Sequence, residues 1–84
     1  MSENGNKVEV RAQMSGVFYR KSAPEAPPYC EVGDQVKKKQ VLALLETMKV
    51  FQKVKSPVEG TILEIVAENE KPLKDDDLMF VIEA

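Results

Sequence analysis

Val8, Val10 and Ala12 alternate with Glu9 and Arg11, the two-residue period of a strand with one buried face. Gly16 precedes a second short apolar run, Val17-Phe18-Tyr19, and predicts a tight bend into a second strand. A third stretch, Lys39 to Lys55, reads two ways. Val41, Leu44, Leu45 and Met48 fit a helical stripe built from good helix formers, and taken alone the stretch leans toward helix. Leu78 to Ile82, by contrast, is a short run with two β-branched residues and a phenylalanine, which suits a buried strand.

An internal repeat separates the two readings. Val10 to Phe18 aligns with Val54 to Ile62 at an offset of 44, with Gly16 on Gly60. Glu31 to Lys37 aligns with Glu68 to Lys74, and Val41 to Glu46 with Leu78 to Glu83, both at an offset of 37. Val41 to Glu46 therefore takes the strand assignment of its counterpart, and Val50 to Lys55 returns as the next strand. Thr47-Met48-Lys49 becomes a hairpin tip.

The two offsets differ by seven, so the first half holds seven extra residues between Phe18 and Glu31. Three of the five prolines lie within Ser22 to Pro28, an independent mark of an irregular excursion that cannot join a central ladder. Two similar halves around one core predict a single all-β domain with quasi-twofold symmetry over residues 8–84, with the insertion at about 19–30. Met1 to Lys7 is polar, has nothing to bury and is expected to be a disordered tail.

Composition narrows the chemistry. A chain of 84 residues makes one small domain with a thin core. No apolar run is long enough to span a membrane and no signal-peptide pattern opens the chain, so a cytoplasmic protein without membrane contact is expected. Cys30 is the one cysteine, which rules out an internal disulfide, and no histidine exists to activate it or to ligate zinc. Asp75-Asp76-Asp77 lacks the glycine and distal glutamate of a calcium loop, so no metal site is expected. The net charge of −2 argues against a general binder of nucleic-acid backbones, although Lys37-Lys38-Lys39 is a local basic run.

Two-residue hairpin tips favour Asn-Gly or Gly-Gly, because both central positions need positive φ. Met48-Lys49 departs from that rule, and a broken local rule in a consistent design marks a candidate functional site. The amine of Lys49, on an exposed turn with no base or metal beside it, is poorly placed to catalyse and well placed to be acylated.

Glu46-Thr47-Met48-Lys49-Val50 resembles the Glu-Ala-Met-Lys-Met type acceptor motif of the biotinyl domains of biotin carboxyl carrier proteins, a resemblance that covers about Val8 to Glu83. Ser56-Pro57-Val58-Glu59-Gly60 is similar to the strand entry that follows the acceptor hairpin in that family. Ser22, Ala23, Pro24, Glu25, Ala26, Pro27 and Pro28 look like the protruding thumb of the bacterial acetyl-CoA carboxylase type.

The resemblance implies a flattened β-barrel, or sandwich, of two four-stranded antiparallel sheets with a protruding thumb loop. It implies covalent biotin on Lys49, with Glu46, Thr47, Met48 and Val50 as the flanking recognition residues. Implied partners are a biotin protein ligase, a biotin carboxylase and a carboxyltransferase; the chain would be a non-catalytic carrier for acetyl-CoA carboxylation to malonyl-CoA in fatty acid synthesis. Thr47 and Val50 stand where the family usually has alanine and methionine, and Lys39 and Glu70 where many members have glycine. Threonine before the acceptor dipeptide also occurs in lipoyl domains, so a lipoyl carrier of a 2-oxo acid dehydrogenase-type complex stays open, as does an unmodified β-barrel binding module. Met48 matches the biotin pattern, whereas the aspartate of a lipoyl acceptor is absent.

Overall fold

A computed structural model describes residues 6–48 and 50–84. Eight strands follow in order: β1 (Lys7–Arg11), β2 (Gly16–Tyr19), β3 (Gln35–Val36), β4 (Val41–Glu46), β5 (Phe51–Lys55), β6 (Gly60–Ile65), β7 (Lys71–Leu73) and β8 (Leu78–Glu83). They form two four-stranded sheets of order β1-β8-β6-β3 and β5-β4-β2-β7, and every pairing is antiparallel. Among the described residues no helix is long and apolar enough to cross a membrane.

The sequence repeat is the symmetry of the fold. An offset of 44 carries β1 and β2 onto β5 and β6, and an offset of 37 carries β3 and β4 onto β7 and β8, so one sheet order maps onto the other. Loop hydrogen bonds repeat with it. Lys39 N–H donates to the Ser56 carbonyl at 2.7 Å, as Asp76 N–H does to Ala12 at 2.8 Å. Gly33 N–H donates to Ile62 at 2.8 Å, as Glu70 N–H does to Phe18 at 2.6 Å.

The helical leaning of Lys39 to Lys55 is overturned, and the strand reading holds: β4 pairs with β5 from Val41↔Lys55 to Glu46↔Phe51. A register shift between Val41 and Ala43 turns two successive residues inward, so that Leu42, Ala43 and Leu45 are all buried. Of the helical stripe Val41, Leu44, Leu45 and Met48, the shift leaves only Leu45 buried, and Met48 is exposed. β8 repeats the shift, stepping from Val10↔Phe80 to Arg11↔Leu78 so that Met79 has no partner in β1, and Met79, Phe80 and Ile82 are buried. The core closes on Phe18 and Phe80, fully buried rings tilted at 55° with centroids 5.7 Å apart.

Gly16 does not make the expected tight bend. It lies within β2 without positive φ, and a Cβ there would sit 2.6 Å from the Glu46 carbonyl oxygen. Gly60 meets the Glu83 carbonyl in the same way. Both glycines are demanded by close backbone approach, not by conformational freedom.

Among the described residues, backbone strain lies in the symmetry-related turns. Among the described residues, positive φ occurs at Gly33 (95°), Lys39 (73°), Glu70 (66°) and Asp76 (75°). These are two symmetry-related turn positions, Gly33 with Glu70 and Lys39 with Asp76. Met48 is not among them, so the tip is not the turn with positive φ at both central positions. Lys49 lies outside the described residues.

Of the polar segment Met1 to Lys7, residues 1–5 lie outside the described residues, while Lys7 pairs with Glu83 as the first residue of β1, one position before the expected boundary. Asn6 accepts the Ala84 N–H at 2.8 Å. The halves diverge after Phe18 and Ile62. In β6 the register steps from Ile62↔Ile82 to Glu64↔Val81 and leaves Leu63 unopposed, whereas Tyr19 stays in register with Leu44. The chain then leaves β2 into the proline-rich excursion.

Candidate functional site

β4 is an inner strand of its sheet and β5 is the edge, so the β4–β5 hairpin is anchored on one side and open on the other. Leu42, Ala43 and Leu45 fix β4 in the core, while Phe51, Gln52, Lys53 and Lys55 of β5 are exposed. Beyond the last strand pair, Glu46↔Phe51, the Val50 carbonyl accepts the Thr47 N–H at 2.9 Å and the Thr47 hydroxyl at 3.3 Å. Thr47, which replaces the usual alanine, thus adds a second donor to the bond that closes the hairpin.

The tip projects apolar groups into solvent. Met48 is 97% exposed, Val50 51% and Phe51 58%. No packing holds the Met48 side chain in place, so its exposure gives the domain no core stability. The acceptor candidate Lys49 falls outside the described residues, between these two exposed neighbours in sequence.

The base of the hairpin is braced by β2. The Tyr19 hydroxyl donates to Glu46 Oε1 at 3.0 Å, and the Tyr19 ring meets Phe51 edge to face with centroids 6.0 Å apart. That hydrogen bond to the Glu46 carboxylate, with burial adding to it, pushes the Tyr19 phenol above its ordinary pKa, because the proton is held between two oxygens and ionisation would place two negative charges together. Glu46 is therefore held at both backbone and side chain: its carbonyl faces Gly16 and its carboxylate accepts from Tyr19.

The excursion after β2 is closed by the Tyr29 N–H donating to the Arg20 carbonyl at 2.9 Å, with an inner turn from Ala26 N–H to Ala23 at 3.0 Å. Arg20 ties its neck, donating from the guanidinium to the Cys30 carbonyl at 3.1 Å and from its N–H to Asn69 Oδ1 at 2.8 Å. Ser22, Ala23 and Pro24 line a groove of about 210 Å³ together with Tyr19, Leu44 and Phe51 of the hairpin sheet. Glu25, Ala26, Pro27 and Pro28 do not line it. The excursion and the hairpin base thus share one groove.

Tyr19 and Phe51 were not singled out from the sequence as site residues. A signal existed: the repeat sets Tyr19 against Leu63 and Phe51 against Lys7, both departures from symmetry on the hairpin side. Cys30 is buried, and burial pushes its thiol above the ordinary value, which disfavours the reactive thiolate. Among the described residues no group of three or more His, Cys, Asp or Glu side chains could hold a metal ion. What the arrangement can do chemically is present a tip residue to another molecule.

Residues 8–82 match the family described as biotin-requiring enzyme. The chain is 45% identical over 74 residues to the biotin carboxyl carrier protein of acetyl-CoA carboxylase 1, chloroplastic, of Arabidopsis thaliana, covering 88% of this chain and 26% of that protein. It is 40% identical over 79 residues to the biotin carboxyl carrier protein of acetyl-CoA carboxylase of Pseudomonas aeruginosa, covering 94% of this chain and 49% of that one. The chain therefore spans between about a quarter and a half of the length of these relatives.

Among solved structures, a single-chain, multi-domain long-chain acyl-CoA carboxylase superposes with a TM-score of 0.79 at 17% identity, over 99% of this chain and 7% of that one. The urea carboxylase of Kluyveromyces lactis superposes with a TM-score of 0.76 at 22% identity, over 98% of this chain and 7% of that one. At such identities the likeness is one of fold. The family match runs from β1 into β8 across both symmetric halves, and the chain belongs to the biotin/lipoyl family described as biotin-requiring enzyme.

Proposed function

We propose that residues 8–84 are the biotin carboxyl carrier domain of an acetyl-CoA carboxylase, and that Lys49 is its biotinylated residue. The observation that carries this reading is Glu46-Thr47-Met48-Lys49-Val50 in a hairpin where Met48 and Val50 are exposed, in a chain 40–45% identical to named carrier proteins. The residues present fit the group: a solvent-facing tip stands on a braced base, and the lysine carries an amine that a ligase can acylate. When bound, biotin supplies the ureido ring that takes up carboxylate and releases it to an acceptor.

The protein's part is to hold and to present. β4 anchors the tip to the core, and the Tyr19–Glu46 bond with the Tyr19–Phe51 contact limits how far the base can splay. A tethered group has a high effective concentration at each partner in turn and is not lost to solvent. Its partners in this reading are a biotin protein ligase, a biotin carboxylase and a carboxyltransferase in the cytoplasm, with no role for nucleic acid or a membrane. The carboxyl acceptor is acetyl-CoA, giving malonyl-CoA for fatty acid synthesis, and the domain itself catalyses nothing.

Ser22 to Pro28 act as a thumb beside the carrier group, supported by the groove that Ser22, Ala23 and Pro24 share with Phe51. Glu46, Thr47, Met48 and Val50 form the surface that the ligase reads. The lipoyl alternative is disfavoured by Met48, which stands where a lipoyl acceptor carries aspartate.

Intact mass after incubation with a biotin protein ligase, ATP and biotin tests the reading. Wild type gains one biotinyl group and Lys49→Ala gains none. A folded wild type that gains nothing overturns it.

A further inference from the structure

We propose that Met48 is an oxidation site, and that its sulfoxide blocks acceptance of the carrier group at the neighbouring Lys49. The second half of this rests on the carrier reading above; the first half stands on the structure alone. Among the described methionines the contrast is large. Met79 is 2% exposed in the core and Met14 37%, whereas Met48 is 97% exposed at the end of a hairpin. A thioether is oxidised where the oxidant can reach the sulfur, so exposure orders the three, with Met48 first. The thiol does not compete, since Cys30 is buried.

The reaction balances with a peroxide as oxidant. A sulfur lone pair attacks one peroxide oxygen, the O–O bond breaks, an S–O bond forms and water leaves. Methionine is oxidised by two electrons and hydrogen peroxide is reduced. A methionine sulfoxide reductase supplied with a dithiol reverses the step.

Exposure also sets the consequence. Met48 makes no core contact, so turning its apolar tip into a polar sulfoxide leaves the fold unharmed. The cost falls on binding. A ligase that brings its active centre to the adjacent amine must enclose the Met48 side chain, and a pocket that suits a thioether leaves the S–O dipole without a partner. Symmetry supports a contact role over a packing role. Met48 belongs to the segment joining the halves, and its exposed thioether, flanked by exposed Val50 and Phe51, forgoes the gain of burial that a packing role would bring.

The test treats purified, unmodified protein with limiting hydrogen peroxide, removes the oxidant, maps each methionine by peptide mass, and measures the initial rate of biotin transfer by a biotin protein ligase. The expected result is that Met48 is oxidised before Met14 and Met79, and that the rate falls at least about tenfold in proportion to Met48 sulfoxide. Reductase treatment restores the rate. Met48→Leu, whatever its starting rate, loses nothing further on peroxide treatment, and circular dichroism of the oxidised wild type is unchanged. Oxidation of Met14 or Met79 ahead of Met48, or a normal rate from protein fully oxidised at Met48, overturns the proposal. Untreated wild type that accepts no biotin overturns the carrier reading and the block with it, while the order of oxidation still reads out the first half.

Discussion

Two corners of this domain share their strand pairing and closing bond, but only one is bridged by a hairpin tip, and their side chains differ. At one, β4 and β5 close through Glu46↔Phe51 and the Thr47 N–H bond to Val50 at 2.9 Å. At the other, β8 and β1 meet through Glu83↔Lys7 and the Ala84 N–H bond to Asn6 at 2.8 Å, the same bond carried across by the offsets of 37 and 44. Glutamate stands at the strand end in both, and each has its glycine beneath that glutamate's carbonyl. Strand pairing alone therefore does not distinguish the corner that carries Lys49 in the proposed reading. The departures from the repeat do: Tyr19 for Leu63, Phe51 for Lys7, and the excursion after Tyr19 that shares a groove with Phe51. Symmetry supplies the paired platform twice, and in the proposed carrier reading the joining tip with a few unmatched side chains sets one copy apart.

The comparison breaks most severely at the glycines. Gly16→Val and Gly60→Val each push a side chain into a facing carbonyl, and each is expected to cost about 2–3 kcal/mol in urea unfolding. The two costs should agree. Only Gly16→Val displaces Glu46, so only that variant, compared while still folded, should also slow acceptance at Lys49; an equal slowing in both would show that stability and not the hairpin base sets the rate.

The turns sharpen the comparison at the next level down. Gly33 and Glu70 occupy the same position with φ of 95° and 66°, and a Cβ at Gly33 would meet nothing within 4 Å. The difference between them is then one of backbone conformation alone. Gly33→Ala should destabilise by about 1 kcal/mol and Glu70→Gly should stabilise by about 0.5–1 kcal/mol in thermal melts. A destabilising Glu70→Gly would mean that its side chain contributes more than its strained backbone costs.

Tyr19 distinguishes the hairpin side by titration. Its pKa is raised above the ordinary phenol value by the bond to Glu46, so folding stability from that bond is full below the unfolded phenol's pKa and is lost as pH rises through the higher folded one. Ultraviolet difference titration should show one phenol ionising late, and Tyr19→Phe should abolish that late step while keeping the fold. An unchanged late step in that variant would remove the brace. Smallest of all, Thr47→Ala removes the 3.3 Å hydroxyl bond and leaves the 2.9 Å N–H bond intact. A loss of only a few tenths of a kcal/mol is expected in chemical unfolding, because the hydroxyl is replaced by water at an exposed site.

Much of the architecture was legible in one dimension. Periodicity marked β1, the offsets marked equivalent strands, their difference located the excursion, and the motif around Lys49 located the hairpin. These are readable because strand period, turn composition and repetition are local or translational properties of a chain. The stretch from Lys39 to Lys55 misled on its own because Val41, Leu44, Leu45 and Met48 share a helical spacing but not an environment, Leu45 being buried in the core and Met48 exposed at the tip.

What only the tertiary structure decided has a common cause. The Tyr19–Glu46 bond joins residues 27 apart in sequence, and the role of Gly16 is set by a carbonyl thirty positions away. Left-handed turns at Lys39 and Glu70 defy residue preference, and Asp76, a residue that tolerates this region, joins them, because bonds to distant carbonyls, Ser56 for Lys39, Phe18 for Glu70 and Ala12 for Asp76, hold their N–H groups. A linear sequence records which groups exist and how often they recur. Through-space approach fixes which of two equivalent corners receives the brace, because that depends on distances that arise only when both sheets close around Phe18 and Phe80.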